Sequence, residues 1–316
     1  MDTPSPVILT TCTNRKRIAP SADLKAASLP KGPLSMVASC WLARLQSALP
    51  RVRADRLYAG RAFNEARAAA GNADLYVVSA GLGALHAGTT IPSYSLTVAP
   101  GSSDDVLGMV SEVATASDWW QAGPANSPFH TGLDDIARRH EGQLILAALP
   151  STYLCMLADD LERVLGQVGE DHLRLFCAAP PADLSHRLGA VVMPYDTRFD
   201  GPDSPLPGTQ SDFAQRAMRH FAHTVLPHGP DATAKTHHAA VEDALAGFRP
   251  RTSVARDRTN DAEIVTLVIQ NWEAADGRSG RMLRLLRDEL GVACEQRRFA
   301  RLFQAAVEQH RTEALA

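Results

Sequence analysis

The sequence predicts an α/β protein in which a mainly parallel central sheet is flanked by helices, followed by a smaller all-helical C-terminal domain. Continuous runs of aliphatic and β-branched residues recur through the first two-thirds of the chain, with helical patterns between them. Continuous apolar runs are typical of strands covered on both faces, and their alternation with helices indicates βαβ units. After residue 247 helical patterns alone remain, which predicts domains over 1–247 and 248–316, the second beginning with a linker broken by Pro250.

The predicted strands are VILTTC at 7–12, LYVVSAG at 75–81, QLILAAL at 143–149, and HLRLFCA at 172–178 followed by GAVVMPY at 189–195. The predicted helices of this domain are PLSMVASCWLARLQSAL, AGRAFNEARAAA, DDVLGMVSEVATASDWW and TYLCMLADDLERVLGQV. Ligands of such sheets bind where the strands end, so the residues after each strand are the first candidates for a site.

Composition narrows the class of protein. The formal net charge of −3 excludes a uniformly basic nucleic-acid binder. Five scattered cysteines without a CxxC pair fit a reducing cytoplasm. No signal-peptide pattern and no apolar run of ~20 residues is present, so we expect a cytoplasmic protein without a membrane partner. The histidines at 220, 223, 228, 237 and 238 lack a recognised ligand spacing, and no essential metal or other cofactor is expected.

Small and polar residues follow the predicted strands and predict a pocket at the sheet edge. Cys12 and Thr13 follow the first strand, Ser79 and Gly81 end the second, and Ser151 and Tyr153 follow the third. Simpler roles stay open: Cys12 as a buried thiol, Gly81 and Gly83 as turn glycines, and Ser151 or Thr152 as helix N-caps. The cations Arg15, Lys16 and Arg17 form either a solvated face or a phosphate contact.

The loop after the last strand contains DSPLPG at 203–208, with two prolines bracketing Leu206. It is either a loop made rigid by proline or a wedge that enters a nucleic-acid stack when a base is extruded. A helix capped by Thr209 or Ser211 follows, on which Asp212 and Arg216 share a face. They form either a surface pair or an acid/base group with its orienter, and Asp196 and Asp200 are alternatives for that role.

Several segments together resemble a known family. They are the C-x3-K pattern from Cys12 to Lys16, LYAGRAFNEARAAA, ADLYVVSAGLGAL, the IPSY segment that contains Tyr94, and the stretch at 194–221. This ordered set resembles the bacterial peroxide-stress DNA-binding family and its uncharacterised relatives over about residues 7 to 226. One departure is that the usual Lys or Tyr before Gly-Leu is absent, since Ser79-Ala80 runs directly into Gly81-Leu82.

The resemblance implies a fold similar to that of the uracil-DNA glycosylases, and the chain is also similar to anti-phage DNA glycosylases that remove modified bases. The implied activity is monofunctional hydrolysis of the N-glycosidic bond of a flipped, modified base in DNA, without an obligate protein partner. By position, Asn14 would orient the water, with Asp196, Asp200 or Asp212 as alternatives. The implied base contacts are Cys12, Thr13, Ser79, Gly81, Tyr94, Ser151 and Tyr153. The implied DNA contacts are Arg15, Lys16, Arg198, Leu206 at the wedge, and Arg216.

The C-terminal region predicts three amphipathic helices, with a turn at Gly291 typical of a helix-turn-helix or winged-helix unit. Seven arginines against three acids lie between 277 and 301. We expect DNA contacts from Arg281, Arg284, Arg297 and Arg298, with the helix at 294–310 as the recognition element. Two other classes stay open: a non-enzymatic DNA-binding or DNA-protecting protein, and a hydrolase of small nucleotides.

Overall fold

The computed structural model describes residues 5–252 and 257–314, and the chain divides into two compact units, Met1–Arg251 and Thr252–Ala316. The strands of the first unit are β1 (Val7–Thr11), β2 (Val52–Arg53), β3 (Leu75–Ser79), β4 (Gly83–His86), β5 (Thr90–Ile91), β6 (Ile145–Ala148) and β7 (Leu173–Phe176). Five of them form one sheet in the order β4-β3-β1-β6-β7, in which β3, β1, β6 and β7 are parallel and β4 is antiparallel to β3. Every residue of the four parallel strands is buried, so the predicted mainly parallel sheet is confirmed.

The α-helices of the first unit are α1 (Leu34–Ser47), α2 (Ala54–Leu57), α3 (Arg61–Ala70), α4 (Ala116–Ala122), α5 (Leu133–Arg139), α6 (Ser151–Met156), α7 (Ala158–Val168), α8 (His186–Ala190), α9 (Phe213–His220) and α10 (Ala234–Leu245). Short 3-10 turns occupy Ala22–Leu24, Ala26–Ser28, Leu107–Met109, Pro124–Asn126, Glu170–His172, Gln210–Asp212 and Leu226–His228. After α9 the chain continues through one π-helical turn, Phe221–Val225. The helices α3 and α9 pack against each other, and α9 also contacts β6 and β7.

Three predicted elements differ from the structure. The stretch GAVVMPY is not a strand: it begins in α8, and Val192 makes a single bridge to Leu175. Pro194 follows and has no amide hydrogen with which to extend a ladder. In DDVLGMVSEVATASDWW the helix begins only at Ala116, because Thr115 and Asp118 form a capping box there. The helix predicted from Thr152 is divided at Leu157 into α6 and α7.

The second unit contains β8 (Asp257–Arg258), α11 (Asp261–Gln270), α12 (Ser279–Asp288), β9 (Val292–Ala293) and α13 (Gln296–Ala314). The two short strands are parallel, and the three helices enclose a separate apolar core. Trp272 stacks on Phe303 with ring centroids 5.6 Å apart. Gly291, with a φ of 63°, makes the left-handed turn before β9.

Across the described residues of both units, no helix is both long and apolar enough to cross a membrane.

Candidate functional site

The ends of three parallel strands bring a group of reactive and aromatic side chains together. We call it the strand-end cluster; its members are Cys12, Lys16, Tyr58, Ser79, Tyr94 and Tyr153. Cys12 follows β1, and its Sγ lies 3.3 Å from the hydroxyl of Tyr153 on α6, the helix after β6. The Nζ of Lys16 lies 4.2 Å from the ring centre of Tyr94. The cluster therefore lies at the edge of the sheet where a ligand of a parallel α/β fold is expected.

A chain of hydroxyl groups forms the inner wall of this cluster. The Oγ of Ser79 accepts hydrogen bonds from the amides of Gly81 and Leu82, each at 3.0 Å. Because both lone pairs of Ser79 are then used, its own hydrogen is donated to the Tyr94 hydroxyl at 2.5 Å. The Tyr94 hydroxyl in turn donates to Tyr58 at 2.9 Å. Burial, helped by the neighbouring Cys12 thiol, raises the pKa of Tyr58 and of Tyr94 well above the usual range, so both phenols are neutral.

The small residues after β3 serve the packing of Tyr94. A Cβ on Gly81 would lie 2.8 Å from the Cε2 atom of Tyr94, closer than carbon atoms can approach. The indole nitrogens of Trp41 and Trp119 donate to the carbonyls of Gly81 and Ala80, at 2.6 and 2.8 Å. The group that lies close to the backbone at Gly81 is therefore the side chain of Tyr94.

Three residues expected to contact a base are covered. Ser79 and Tyr94 are each 0% exposed, and Gly81 is buried beneath Tyr94. In this structure they form the wall behind the site, and their contact with a base stays a prediction. Of the two turn glycines, Gly83 has a positive φ of 86° and Gly81 does not.

The solvent-facing side of the cluster comes from the loop after β1. Cys12, Thr13 and Lys16 are half-buried, and Asn14 and Arg15 are exposed. The hydroxyl of Thr13 donates to the carbonyl of Ala59 at 2.6 Å and fixes this loop against the segment before α3. Within the described part of the chain, the Asn14 carboxamide makes no hydrogen bond, so both of its polar atoms are open to a water or substrate.

The start of α6 differs from its predicted form. Pro150 is the N-cap residue, and Ser151 is the first residue of the helix. The hydroxyl of Ser151 donates to the carbonyl of Ala179 instead of capping the helix. The prediction of Ser151 or Thr152 as the cap is wrong, because that hydroxyl is taken by another loop. Tyr153, half-buried one turn into α6, lies beside Cys12.

Arg216 forms a buried ion cluster with Asp200 and Asp212. The Nε of Arg216 lies 2.6 Å from Asp212 Oδ1, and one Nη donates to Asp200. Its guanidinium also donates to the carbonyls of Leu206 and Thr209, at 2.8 and 3.1 Å. The side chains of Arg216, Asp200 and Asp212 are 0%, 2% and 2% exposed.

This burial shows that the surface-pair interpretation of Asp212 and Arg216 is wrong. The oxygens of Asp212 are occupied by Arg216, Arg61 and the amide of Thr209. The roles of Arg216 at a phosphate and of Asp212 at a water stay predictions. Thr209, not Ser211, is the N-cap residue of the 3-10 turn Gln210–Asp212 that precedes α9, and its amide donates to Asp212 Oδ1 at 2.8 Å. Gly208 lies so close to Arg216 that a Cβ there would overlap the guanidinium.

Two further expected site residues are also paired. Asp196 receives hydrogen bonds from the amide and the Nε of Arg198, and Arg198 pairs with Glu242 on α10 at 2.7 Å. Burial alone would raise the pKa of Asp196, but the hydrogen bonds from Arg198 outweigh it and lower that pKa. A paired carboxylate with a lowered pKa is a weak general base, and an arginine between two carboxylates is a weak phosphate ligand. Of the four residues predicted to activate water, Asn14 alone lies open at the strand-end cluster, since the side chains of Asp200 and Asp212 are buried and Asp196 is paired with Arg198.

Leu206, the apolar residue of the proline loop at 203–208, does not project from the protein. Leu206 is half-buried and packs against the core, whereas Pro205 and Pro207 are exposed. Arg61, at the start of α3, donates to the carbonyl of Pro207 and lies 3.2 Å from Asp212. In this arrangement Leu206 does not form a wedge, because its side chain is held against the protein.

A surface cavity of the first unit is lined by other residues than those of the strand-end cluster. A surface cavity of about 650 Å³ is lined by Leu24, Arg44, Arg51 and Pro92, among others, and contains none of the cluster side chains. We assign the candidate site by its convergent polar groups instead, because that cavity gathers no comparable set of reactive side chains. No three histidine, cysteine or carboxylate side chains of residues 5–252 and 257–314 are grouped to hold a metal ion.

The predicted DNA-contacting arginines of the second unit differ in whether an acidic side chain pairs with them. Arg298 and Arg301 on α13 both pair with Asp261 on α11, each at 2.7 Å. Arg281 pairs with Asp276. Arg284 is exposed and has no partner among the described residues, and the side chain of Arg297 lies outside them. Among the described side chains of these predicted arginines, the open cation is therefore Arg284 on α12.

Sequence reasoning missed Tyr58 and Arg61 as parts of this region. Tyr58 lies within LYAGRAFNEARAAA, and its position just before the helix was the available signal. Nothing local in the sequence indicates that it meets Tyr94, which is 36 residues away.

Comparison with known proteins finds no matching family model, no matching curated protein and no matching solved structure.

Proposed function

We propose that the protein hydrolyses the N-glycosidic bond of a flipped, modified base in DNA, in defence against phage. On this proposal the first unit has a uracil-DNA-glycosylase-like fold, and the second is a helix-turn-helix-like DNA-binding domain. The observation that carries the proposal is the open rim of Asn14, Arg15 and Lys16 above the neutral aromatic wall of the strand-end cluster.

The chemistry of base release matches this rim. Glycosidic cleavage passes through an oxocarbenium-like sugar, so the site must orient a water and stabilise developing charge. The free carboxamide of Asn14 orients the water, and the cation of the exposed Arg15 holds a flanking phosphate. Tyr153, which is half-buried, offers a ring on which an extruded base stacks.

The neighbouring loop supports the same function. Gly60 adjoins Arg15, since a Cβ on Gly60 would lie 3.5 Å from the Cδ of Arg15. Arg61, the next residue, holds the carbonyl of Pro207. Gly60 and Arg61 thus connect Arg15 to the loop of the exposed Pro207, and on this proposal that rigid loop fills the space that a flipped base leaves.

The test is incubation of the protein with duplexes carrying ordinary and phage-type modified bases. Released base is measured by mass spectrometry, and abasic sites by a chemical probe. We expect Asn14→Ala to lower base release at least ~10-fold while DNA binding is retained, because orientation of water is a transition-state effect. Asn72→Ala, at an exposed turn, is the matched control and should leave release unchanged. Full release by Asn14→Ala would remove Asn14 from the mechanism.

A second candidate is a DNA-binding protein that does not cut the glycosidic bond. The observation that favours it is the amide at position 14, because an amide accepts a proton from water far less readily than a carboxylate does. In that case every duplex of the panel would be bound and returned intact.

A further inference from the structure

Lys16 is in an unusual position for a lysine of this chain. The chain has four lysines, Lys16, Lys25, Lys31 and Lys235. Lys25, Lys31 and Lys235 are exposed, whereas Lys16 is half-buried in the strand-end cluster. Its Nζ has one hydrogen-bond acceptor among the described residues, the carbonyl of Thr13 at 3.1 Å.

The groups that face this amine leave its charge only partly compensated. The rings of Tyr94 and Tyr58 lie 4.2 and 5.8 Å from Nζ, and no carboxylate of the described residues lies within salt-bridge distance. Burial lowers the pKa of Lys16, while the charge interactions with Cys12 and Asp104 oppose that change. A desolvated lysine with a lowered pKa has more of the neutral amine, which is the nucleophilic form.

We infer that Lys16 is an amine nucleophile that forms a Schiff base with the aldehyde of an abasic deoxyribose at the strand-end cluster. The inference rests on the proposed function, which would generate that aldehyde beside the amine. It departs from the expectation of a monofunctional hydrolase and assigns the protein a lyase activity.

The reaction balances without a further reagent. The Nζ lone pair attacks C1′ of the ring-opened sugar, and the resulting carbinolamine takes up a proton from solvent and loses its hydroxyl as water to give an iminium ion. The iminium acidifies C2′, whose proton passes to water, and the C3′–O bond breaks with the phosphate leaving on the downstream strand. Hydrolysis by one water then frees the unsaturated aldehyde and restores the amine.

The test uses abasic DNA prepared separately, by removing uracil from a synthetic duplex with another enzyme, so that it does not depend on base release by this protein. Sodium borohydride reduces a Schiff base to a stable amine, and the covalent complex is then digested and its adduct located by mass spectrometry. Strand cleavage is followed in parallel without borohydride. The variants are Lys16→Arg, which keeps the positive charge, and the triple variant K25R/K31R/K235R, in which Lys16 is the only lysine.

We expect the wild-type protein and the triple variant to be trapped with the adduct on Lys16, and Lys16→Arg to fall to background in both trapping and cleavage. If Lys16→Arg does not fold, as judged by its melting transition, the adduct site in the triple variant decides the matter. No adduct, or an adduct on another amine only, would overturn the inference. Absence of base release across the modified-base panel, with a Lys16 adduct still formed on abasic DNA, would instead refute the proposed function.

Discussion

Replacement of Arg216 by methionine tests the buried ion cluster most directly. Methionine keeps much of the side-chain volume but removes the charge and the donors. Asp200 and Asp212, each 2% exposed, would then lose their shared cation. Removing one partner of a buried ion pair costs about 3–5 kcal/mol, because the remaining charge stays desolvated.

The expected loss lies near the lower end of that range. Asp212 keeps the ion pair with Arg61, and Asp200 keeps the hydrogen bond from Gln210. A loss of about 3 kcal/mol lowers the folding equilibrium constant roughly 150-fold. The triple variant R216M/D200N/D212N removes the charges together, and the carboxamide oxygen introduced at position 212 can still accept from the Thr209 amide. We expect this variant to regain most of the loss, because replacement of a whole buried ion pair is often nearly neutral.

Urea unfolding should be followed by tryptophan fluorescence in a Trp272→Phe background. Trp41, Trp119 and Trp120 are then the remaining indoles, and all lie in the first unit. With a slope of about 3 kcal/mol per M urea, the loss moves the midpoint by about 1 M. Arg219→Met is the control: it lies on the same helix, is 33% exposed and pairs with Glu65, so we expect at most ~1 kcal/mol. The interpretation fails if R216M unfolds within ~0.5 kcal/mol of the wild type, or if the triple variant is no more stable than R216M.

Three further predictions concern packing, pH and DNA binding. Gly81→Ala should lower the free energy of unfolding by about 1–3 kcal/mol in urea, since the added Cβ would meet Tyr94. The control Gly166→Ala in α7 adds a Cβ that meets nothing within 4 Å and should be neutral or stabilising. Equal effects of the two substitutions would contradict the packing argument. Burial lowers the pKa of His130, His220 and His237, so on acidification the unfolded chain binds protons before the folded protein does. The contribution of these histidines to stability should therefore be full above pH ~6.5 and fall as the pH drops towards 5.5. A urea midpoint that stays constant across that range would contradict the prediction. Arg284→Ala should weaken duplex binding and reduce by about 1 the slope of log binding constant against log salt concentration. Arg301→Ala should change that slope less, because the cation of Arg301 is paired with Asp261. Equal slopes for the two variants in filter binding would argue against DNA contact through α12.

The strands and the edge that carries the candidate site followed from the sequence because the relevant signals are local. Continuous apolar runs mark β1, β3, β6 and β7, and parallel strands bring their carboxyl ends to one edge. The placement of Cys12 and Tyr153 at that edge therefore needed no knowledge of their contacts. The GAVVMPY stretch was the exception, because an apolar run next to a helix end and a proline carries no unambiguous period.

The spacing of residues along the chain was enough to predict which of them could share a face or follow a strand, whereas which of them are covered depends on the tertiary structure. The four-residue spacing places Asp212 and Arg216 on one side of a helix, but Asp200 and the carbonyls of the loop bury that side. In the same way, the sequence around Tyr94 is that of an exposed loop, and the residue is buried only because Gly81 and Tyr58 pack around it. Periodicity is a property of neighbours along the chain, whereas burial and pairing depend on residues that folding brings together from far apart.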